Sequence, residues 1–240
     1  MPTATEIIYN NINKIEEKQF VHASFYYPKN NGSQYIVDSF AKGLNIYVNS
    51  PIDNIQRQKD GWVVNGIPYD AVVFCGNIKE LPSLLHEVDT ERYYDYINKL
   101  KSHGTTSVFC ELIDNPYTWI YLPDDSYQCH RIICTGNLAK TNNKLSLTGV
   151  VEFTDYVDMD IIQNDLNHLP FVRKYITHHY NQFTYPIQDC GTRGMIKSLK
   201  QLLEPRGFYL LGRFAEWEYY NMDVAMGAAL DLCNTIHSQF

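Results

Sequence analysis

The stretch that most constrains the fold lies near the C-terminus. It reads Gly-Phe-Tyr-Leu-Leu-Gly-Arg-Phe-Ala-Glu-Trp-Glu-Tyr-Tyr-Asn-Met-Asp over residues 207–223, then Val-Ala-Met-Gly-Ala-Ala-Leu-Asp-Leu-Cys. A short apolar run, 208–211, stops at Gly212. An aromatic loop follows, and a helix is expected from about Asp223, with Ala225, Gly227, Ala228 and Ala229 making one face small. Small residues let another backbone or a flat ligand approach. Asn221 and Asp223 are both capping residue types, which leaves first-turn N–H groups to meet an anion. A cofactor pyrophosphate or flavin edge needs this order of strand, glycine, loop and small-faced helix. A buried strand packed on a terminal helix has the same pattern.

Composition narrows the classes. With 240 residues there is room for one large domain or two small ones. The net charge of -7 speaks against a nucleic-acid surface, which needs clustered Lys and Arg. No apolar run approaches the ~20 residues of a membrane span. None of the six cysteines sits in a C-x-x-C pair, and most lie in apolar runs. That usage points to reduced, buried thiols in a cytoplasmic protein, with no disulfide framework or zinc site. His178-His179 is the one adjacent histidine pair; on the helix expected there the two rings point apart, so no metal site is expected.

Along the chain, residues 5–18 read as an amphipathic helix. Asn31-Gly32 is a turn, and Ser33 can cap a helix over 34–42 that Gly43 ends. Short strands are expected over 44–49 and 52–57. Two turn dipeptides, Asp60-Gly61 and Asn65-Gly66, then set up a β-meander running into the strand 69–75. Helical patterns cover 83–86 and 89–100. Strands are expected over 105–113, 119–122, 128–134 and 145–156. Residues 160–180 read as two helical pieces broken at Pro170, and 184–187 are extended before Pro186. A helix over 194–203 turns Ile196, Leu199, Leu202 and Leu203 inward.

Gly212-Arg213, Trp217, Tyr219 and Asn221-Met222-Asp223 resemble the C-terminal flavin-binding segment of the FAD-dependent superfamily that includes UDP-galactopyranose mutase, protoporphyrinogen oxidase and the flavin amine oxidases. Asn221 stands where mutase-like members carry an aspartate. The meander and its Tyr-Asp-Ala-Val-Val strand, ending at Cys75-Gly76-Asn77, resemble a second segment of that family. A Phe-x-Tyr-Pro segment before Asn31-Gly32-Ser33 matches in part. His130-Arg131-Ile132 and Glu152 resemble a pattern of members tied to cell-surface polysaccharide synthesis.

The resemblance implies an α/β mixed (α+β) fold. A partial FAD-binding-type domain (1–84 and 203–240) would enclose a substrate-type domain (85–202). It implies FAD contacts at Ile52, Gly76, Gly212, Arg213, Asn221 and Met222, and substrate contacts at Arg131 and Tyr219. The partner would be a small-molecule substrate such as a nucleotide sugar, with no nucleic acid, no membrane span, and self-association as an option. The Gly-x-Gly-x-x-Gly turn that grips the FAD pyrophosphate is absent from these 240 residues. The chain alone is therefore expected not to retain FAD, and the competing expectation is a non-catalytic interaction module.

Overall fold

The computed structural model describes residues 5, 8, 9, 12, 13, 25–86, 88–139, 141 and 147–237. Most of the helix expected over 5–18 falls outside them. The first described helix, α1 (Gln34–Ala41), has Ser33 at its N-cap, but the serine side chain makes no capping bond. Residues 44–49 are irregular instead of a strand, and the strand expected over 52–57 is reduced to β1 (Ile55–Gln58). The shortening at 52–54 goes with the Asn65 side chain. Its Oδ1 accepts from the N–H of Asp53 (2.9 Å) and Asn54 (3.1 Å), and its Nδ2 donates to the Pro51 carbonyl. These side-chain bonds take the place of a ladder and keep Ile52 out of the sheet.

β1, β2 (Gly61–Val64) and β3 (Ile67–Tyr69) form an antiparallel meander. Asn65 and Gly66, both at positive φ, make its second turn. β4 (Val72–Phe74) follows. Three short helices, α2 (Leu81–Leu84), α3 (Val88–Glu91) and α4 (Tyr94–Lys99), then lead to a second sheet.

That sheet contains β5 (Lys101–Leu112), β6 (Trp119–Tyr121), β7 (Cys129–Ile133), β8 (Thr148–Thr154) and β9 (Val172–Ile187), in the order β6-β7-β8-β5-β9. All of its pairings are antiparallel. Helix α5 (Met159–His168) starts at Asp158, whose carboxylate accepts from the Ile161 N–H. It packs Ile162 and Leu166 onto the sheet in one core with Val108, Cys110, Ile132, Val151 and Phe153. Burial pushes the Cys110 thiol up to about 12.

The second helical piece expected beyond Pro170 is β9, a strand of 16 residues. Val172, Tyr175, Ile176, Thr177, Tyr180, Phe183, Thr184 and Tyr185 are β-branched or aromatic, and such residues fit a pleated surface better than a helix. His178 and His179 thus lie on opposite sheet faces. Among the described residues no group of His, Cys, Asp or Glu can hold a metal ion, and no helix is long and apolar enough to cross a membrane.

Helix α6 (Thr192–Leu203) turns Ile196, Leu199 and Leu203 inward. β10 (Phe208–Leu210) then pairs parallel with β4, Phe208 opposite Val72 and Leu210 opposite Phe74. So the two segments matched in sequence do meet in one sheet. A second core joins Trp62, Phe74, Ile78, Leu81, Ile97, Leu199, Phe208 and Trp217. The chain ends in α7 (Met222–His237).

Asp189 caps α6 from upstream. Its Oδ1 accepts from the N–H groups of Gly191 (2.8 Å) and Thr192 (2.9 Å), from the Thr192 hydroxyl, and from Tyr96. Tyr96, then Thr192 and the Gly191 amide, hold the carboxyl below its ordinary range. A depressed folded-state value contributes stability above the unfolded carboxylate pKa of ~3.9, and that stability is lost as pH falls through the lower, folded value. Wild type should therefore lose more stability than Asp189→Ala between pH 5 and 3. Urea denaturation at both pH values checks this, and equal losses would refute it.

Candidate functional site at the carboxyl end of the parallel pair

β4 and β10 run in the same direction, so both deliver their carboxyl ends to one side. β4 leads into Cys75-Gly76-Asn77 and β10 into the loop 211–221. Ligands in open α/β folds bind outside such carboxyl ends. The two exits are tied together: Leu211 N–H donates to Phe74 O, and Ile78 N–H to Phe214 O. Glu216 stitches the loop from within, accepting from the Gly212 N–H (3.0 Å) and from Lys200 (2.8 Å). Burial, then the Glu216 charge, raises the Cys75 thiol.

Gly212 has φ +101, and a Cβ there would meet nothing within 4 Å. Its freedom serves the backbone turn, and the space beside it is open. Arg213 is committed to structure. Its Nε and one terminal nitrogen donate to the Tyr220 carbonyl, and its other terminal nitrogen donates to Thr184 O (3.0 Å). Its guanidinium also lies 5.0 Å from the Tyr219 ring centre and 5.7 Å from that of Tyr185. The two tyrosine rings stack at 5.6 Å with an interplanar angle of 16°.

From Tyr185 the contacts continue into the second sheet. Arg131 on β7 donates to the Tyr185 hydroxyl (3.1 Å) and pairs with Glu152, its cross-strand neighbour on β8. Burial opposes the Arg131 charge, but Glu152 and Tyr185 outweigh it and raise the guanidinium pKa. His130 is pushed the other way, down, by burial and then by Arg131. Its Nδ1 is buried with no hydrogen-bond partner among the described residues.

Trp217 anchors the loop. It is fully buried, and its Nε1 donates to the Ile187 carbonyl (3.0 Å). Gln188 in turn donates to the Trp217 carbonyl, and Trp217 itself sits at φ 51. Behind the loop a cleft of about 480 Å³ opens between α6 and Tyr220. Its charges are largely paired, Arg193 with Glu218 and Lys200 with Glu204 and Glu216. Burial and the neighbouring glutamates raise the Tyr220 hydroxyl.

Of the residues singled out in sequence, Gly76, Gly212, Arg213, Tyr219, Asn221 and Met222 lie on the two linked exits, and Arg131 joins them through Tyr185. Asn221 directly precedes α7, and its carbonyl accepts from Ala225 N–H. Met222 is about half exposed, at 50%, and Tyr219 more than half, at 56%. Ile52 lies apart, on the segment fastened by Asn65. Tyr185 and Glu216 were missed. Tyr185 carries the one signal available, a tyrosine held extended before a proline.

These residues suit one end of a dinucleotide: open space at Gly212, an exposed helix start at Met222, and aromatic surface at Tyr219. A glycine-rich turn for a pyrophosphate is not among them.

No family model matches this sequence, and no curated protein matches it. Solved structures do match. A reduced UDP-galactopyranose mutase is 17% identical with a TM-score of 0.74, over 90% of this chain and 52% of that one. A protein assigned as a protoporphyrinogen oxidase from Exiguobacterium sp. 255-15 is 11% identical, with a TM-score of 0.64 over 87% and 51%. A CLA-producing fatty acid isomerase from P. acnes is 15% identical, with a TM-score of 0.66 over 85% and 52%. At these identities the likeness is one of fold, and the chain spans about half the length of the structures it matches. The mixed α/β architecture described above is therefore shared with about half of each of these structures.

Proposed function

We propose that this chain carries the substrate-binding portion and one edge of the flavin site of an FAD-dependent enzyme, of oxidoreductase or sugar-nucleotide mutase type. The observation that supports this best is the line of contacts Arg131–Tyr185–Tyr219–Arg213, which runs from the antiparallel sheet to the carboxyl ends of β4 and β10. In this reading 1–84 and 203–240 serve the cofactor and 85–202 the substrate. Gly76, Gly212, Asn221 and Met222 border the flavin, and Ile52 offers its backbone to the adenine. Arg213 acts by holding the loop that presents Tyr219.

Arg131 and Tyr219 receive the substrate, a small anionic molecule such as a nucleotide sugar on a route to cell-surface polysaccharide. A planar guanidinium suits phosphate oxygens, and an exposed ring suits a base or sugar face. Bound FAD supplies hydride acceptance in an oxidase or a nucleophilic ring nitrogen in a mutase. The chain's own residues supply position and charge. The six free cysteines fit a reducing compartment such as the cytoplasm.

The test is an absorbance scan near the flavin bands followed by titrations with FAD and with UDP. The chain alone should be colourless. Its FAD affinity should be weak, because several charge-assisted hydrogen bonds of ~1.5–3 kcal/mol each belong to the pyrophosphate turn. UDP should bind, and Arg131→Ala should weaken it about ten-fold or more. A yellow protein with stoichiometric flavin would overturn the first expectation. Absence of UDP binding, or binding indifferent to Arg131, would overturn the second. A second reading, an interaction module, draws on the exposed apolar side chains Met222, Met226 and Leu230 of α7.

A further inference from the structure

On β7 the core takes both Cys129 and Ile132, although side chains that far apart on an even strand point to opposite faces. The pairing with β8 accounts for this. Cys129 lies opposite Phe153 and Arg131 opposite Glu152, so His130 stands between them as an extra residue in the ladder. A bulge of this kind re-aims a side chain. Here it turns His130 and Arg131 toward the same carboxylate, and toward the same oxygen of it. Glu152 Oε2 accepts from Arg131 Nε and lies 4.0 Å from His130 Nε2.

In this arrangement the imidazole is unsatisfied at both ends. Nε2 stops short of the roughly 2.7–3.2 Å of a hydrogen bond, and Nδ1 is buried without a partner among the described residues. A neutral ring keeps its hydrogen on Nε2, aimed at Glu152. Burial and then Arg131 favour that neutral form, against the pull of Glu152. Glu152 in turn depends on a cation close by, because its side chain is only 12% exposed.

The remaining groups of the neighbourhood come from four elements. Tyr121 on β6 lies opposite Arg131, while Ser107 on β5 and His179 on β9 continue the row beyond Glu152. Tyr185 on β9 accepts from Arg131. Asp165 on α5 holds the Gln128 and Cys129 amides from the core side. The charges that bear on His130 are those of Arg131 and Glu152.

We propose that His130 is a positioning residue that relieves Arg131 at Glu152. When the guanidinium turns to a diphosphate, the imidazole closes on Oε2 through Nε2–H and takes up a proton from solvent at Nδ1. The carboxylate thereby exchanges one cationic partner for another. The proposal deepens the functional reading above and rests on it for the anion at Arg131. Binding raises the proton affinity of His130, since Arg131 no longer repels the proton and Glu152 attracts it. The added affinity is then fully present below the free-chain value of His130 and is lost as pH rises through the bound-chain value.

The probe is UDP-glucose, whose diphosphate is esterified at both ends and lacks the ionisation near pH ~6 of a phosphate monoester. Calorimetry on the full 240-residue chain, in buffers of different ionisation heat, should show uptake of roughly half a proton or more at pH ~7. Affinity should fall about ten-fold between pH ~6 and pH ~8. His130→Gln can still donate to Glu152 but cannot titrate, so it should bind without uptake and without that pH dependence. With no ligand at all, Arg131→Gln stands in for the departed guanidinium. In histidine-labelled protein the His130 resonance, identified by its loss in His130→Gln, should then titrate about one pH unit or more higher than in wild type. Adding Glu152→Gln should erase that rise.

UDP-glucose binding without proton uptake, uptake that survives His130→Gln, or an unmoved His130 titration in Arg131→Gln would each overturn the proposal. If UDP-glucose does not bind, the functional reading falls, and the titration of Arg131→Gln still decides the exchange at Glu152. If Arg131→Gln does not fold, the calorimetry decides it.

Discussion

Replacing Trp217 with alanine is expected to cost about 3–5 kcal/mol of stability, the range for emptying a fully buried tryptophan site. The indole is 0% exposed, fills the core beside Phe214, and donates to the Ile187 carbonyl at the end of β9. Alanine removes the packing and leaves that carbonyl without its donor. It keeps the same strain at φ 51, so the loss reports side-chain burial and bonding rather than backbone geometry. For a chain of this size the melting temperature should fall by about 6–20 °C. Trp217→Phe should lose less, because it restores most of the apolar volume. Tyr219 is two residues away on the same loop, so UDP binding should weaken in the alanine variant even below its melting point. Denaturant titration and calorimetry check the stability, and a loss under about 1 kcal/mol would contradict this account of the core.

The other large effect belongs to Asp165. Its side chain is buried, and its Oδ2 accepts from the backbone N–H groups of Gln128 (2.7 Å) and Cys129 (2.8 Å). One carboxylate on α5 thus fixes the start of β7 on the core between α5 and the antiparallel sheet. Burial, and then the nearby Asp165, drives the Cys129 thiol up to about 12. Asp165→Ala leaves the buried Cys129 N–H and the part-buried Gln128 N–H without an acceptor. At about 1–3 kcal/mol for each, the loss should be about 2–6 kcal/mol. Asp165→Asn keeps one acceptor oxygen, but it places an NH₂ where Oδ1 is buried without a partner. Its loss should fall between wild type and alanine. Urea denaturation of the three proteins decides the matter, and an alanine variant within 1 kcal/mol of wild type would show that Gln128 and Cys129 find other acceptors.

The legible parts of the sequence were those with local chemistry. Asn65-Gly66 announced its turn because two successive positive φ values select those residues. The run 208–211 was short and bounded by glycine at both ends, and the strand over 69–75 stopped at Gly76; β10 and β4 lie within them. Arg131 and Tyr219 were singled out through resemblance, and the structure joins them through Tyr185. The illegible parts share a physical cause, which is that their surroundings are incomplete or two-sided. β9 is an edge strand whose residues are mostly exposed or half-buried, so it shows no clean alternation, and its β-branched and aromatic content was the better guide. Residues 44–49 alternate apolar side chains as a strand would. Yet Leu44, Ile46 and Val48 are all exposed, because nothing among the described residues offers them a ladder.

The pairing of β4 with β10 also sets an order of assembly. Phe208 lies opposite Val72, 136 positions later in the chain (208 − 72). The core built on Trp62, Ile78 and Ile97 is closed by Leu199, Phe208 and Trp217, while the other core draws only on residues between Val108 and Tyr175. A ribosome therefore delivers every member of the middle core before it delivers the residues that seal the outer one. During that interval the meander and the helices after it have apolar surface to hide and no partner yet made. Closing so long a loop is slow compared with hairpin formation. In synthesis the middle of this protein can settle first, and its beginning waits for its end.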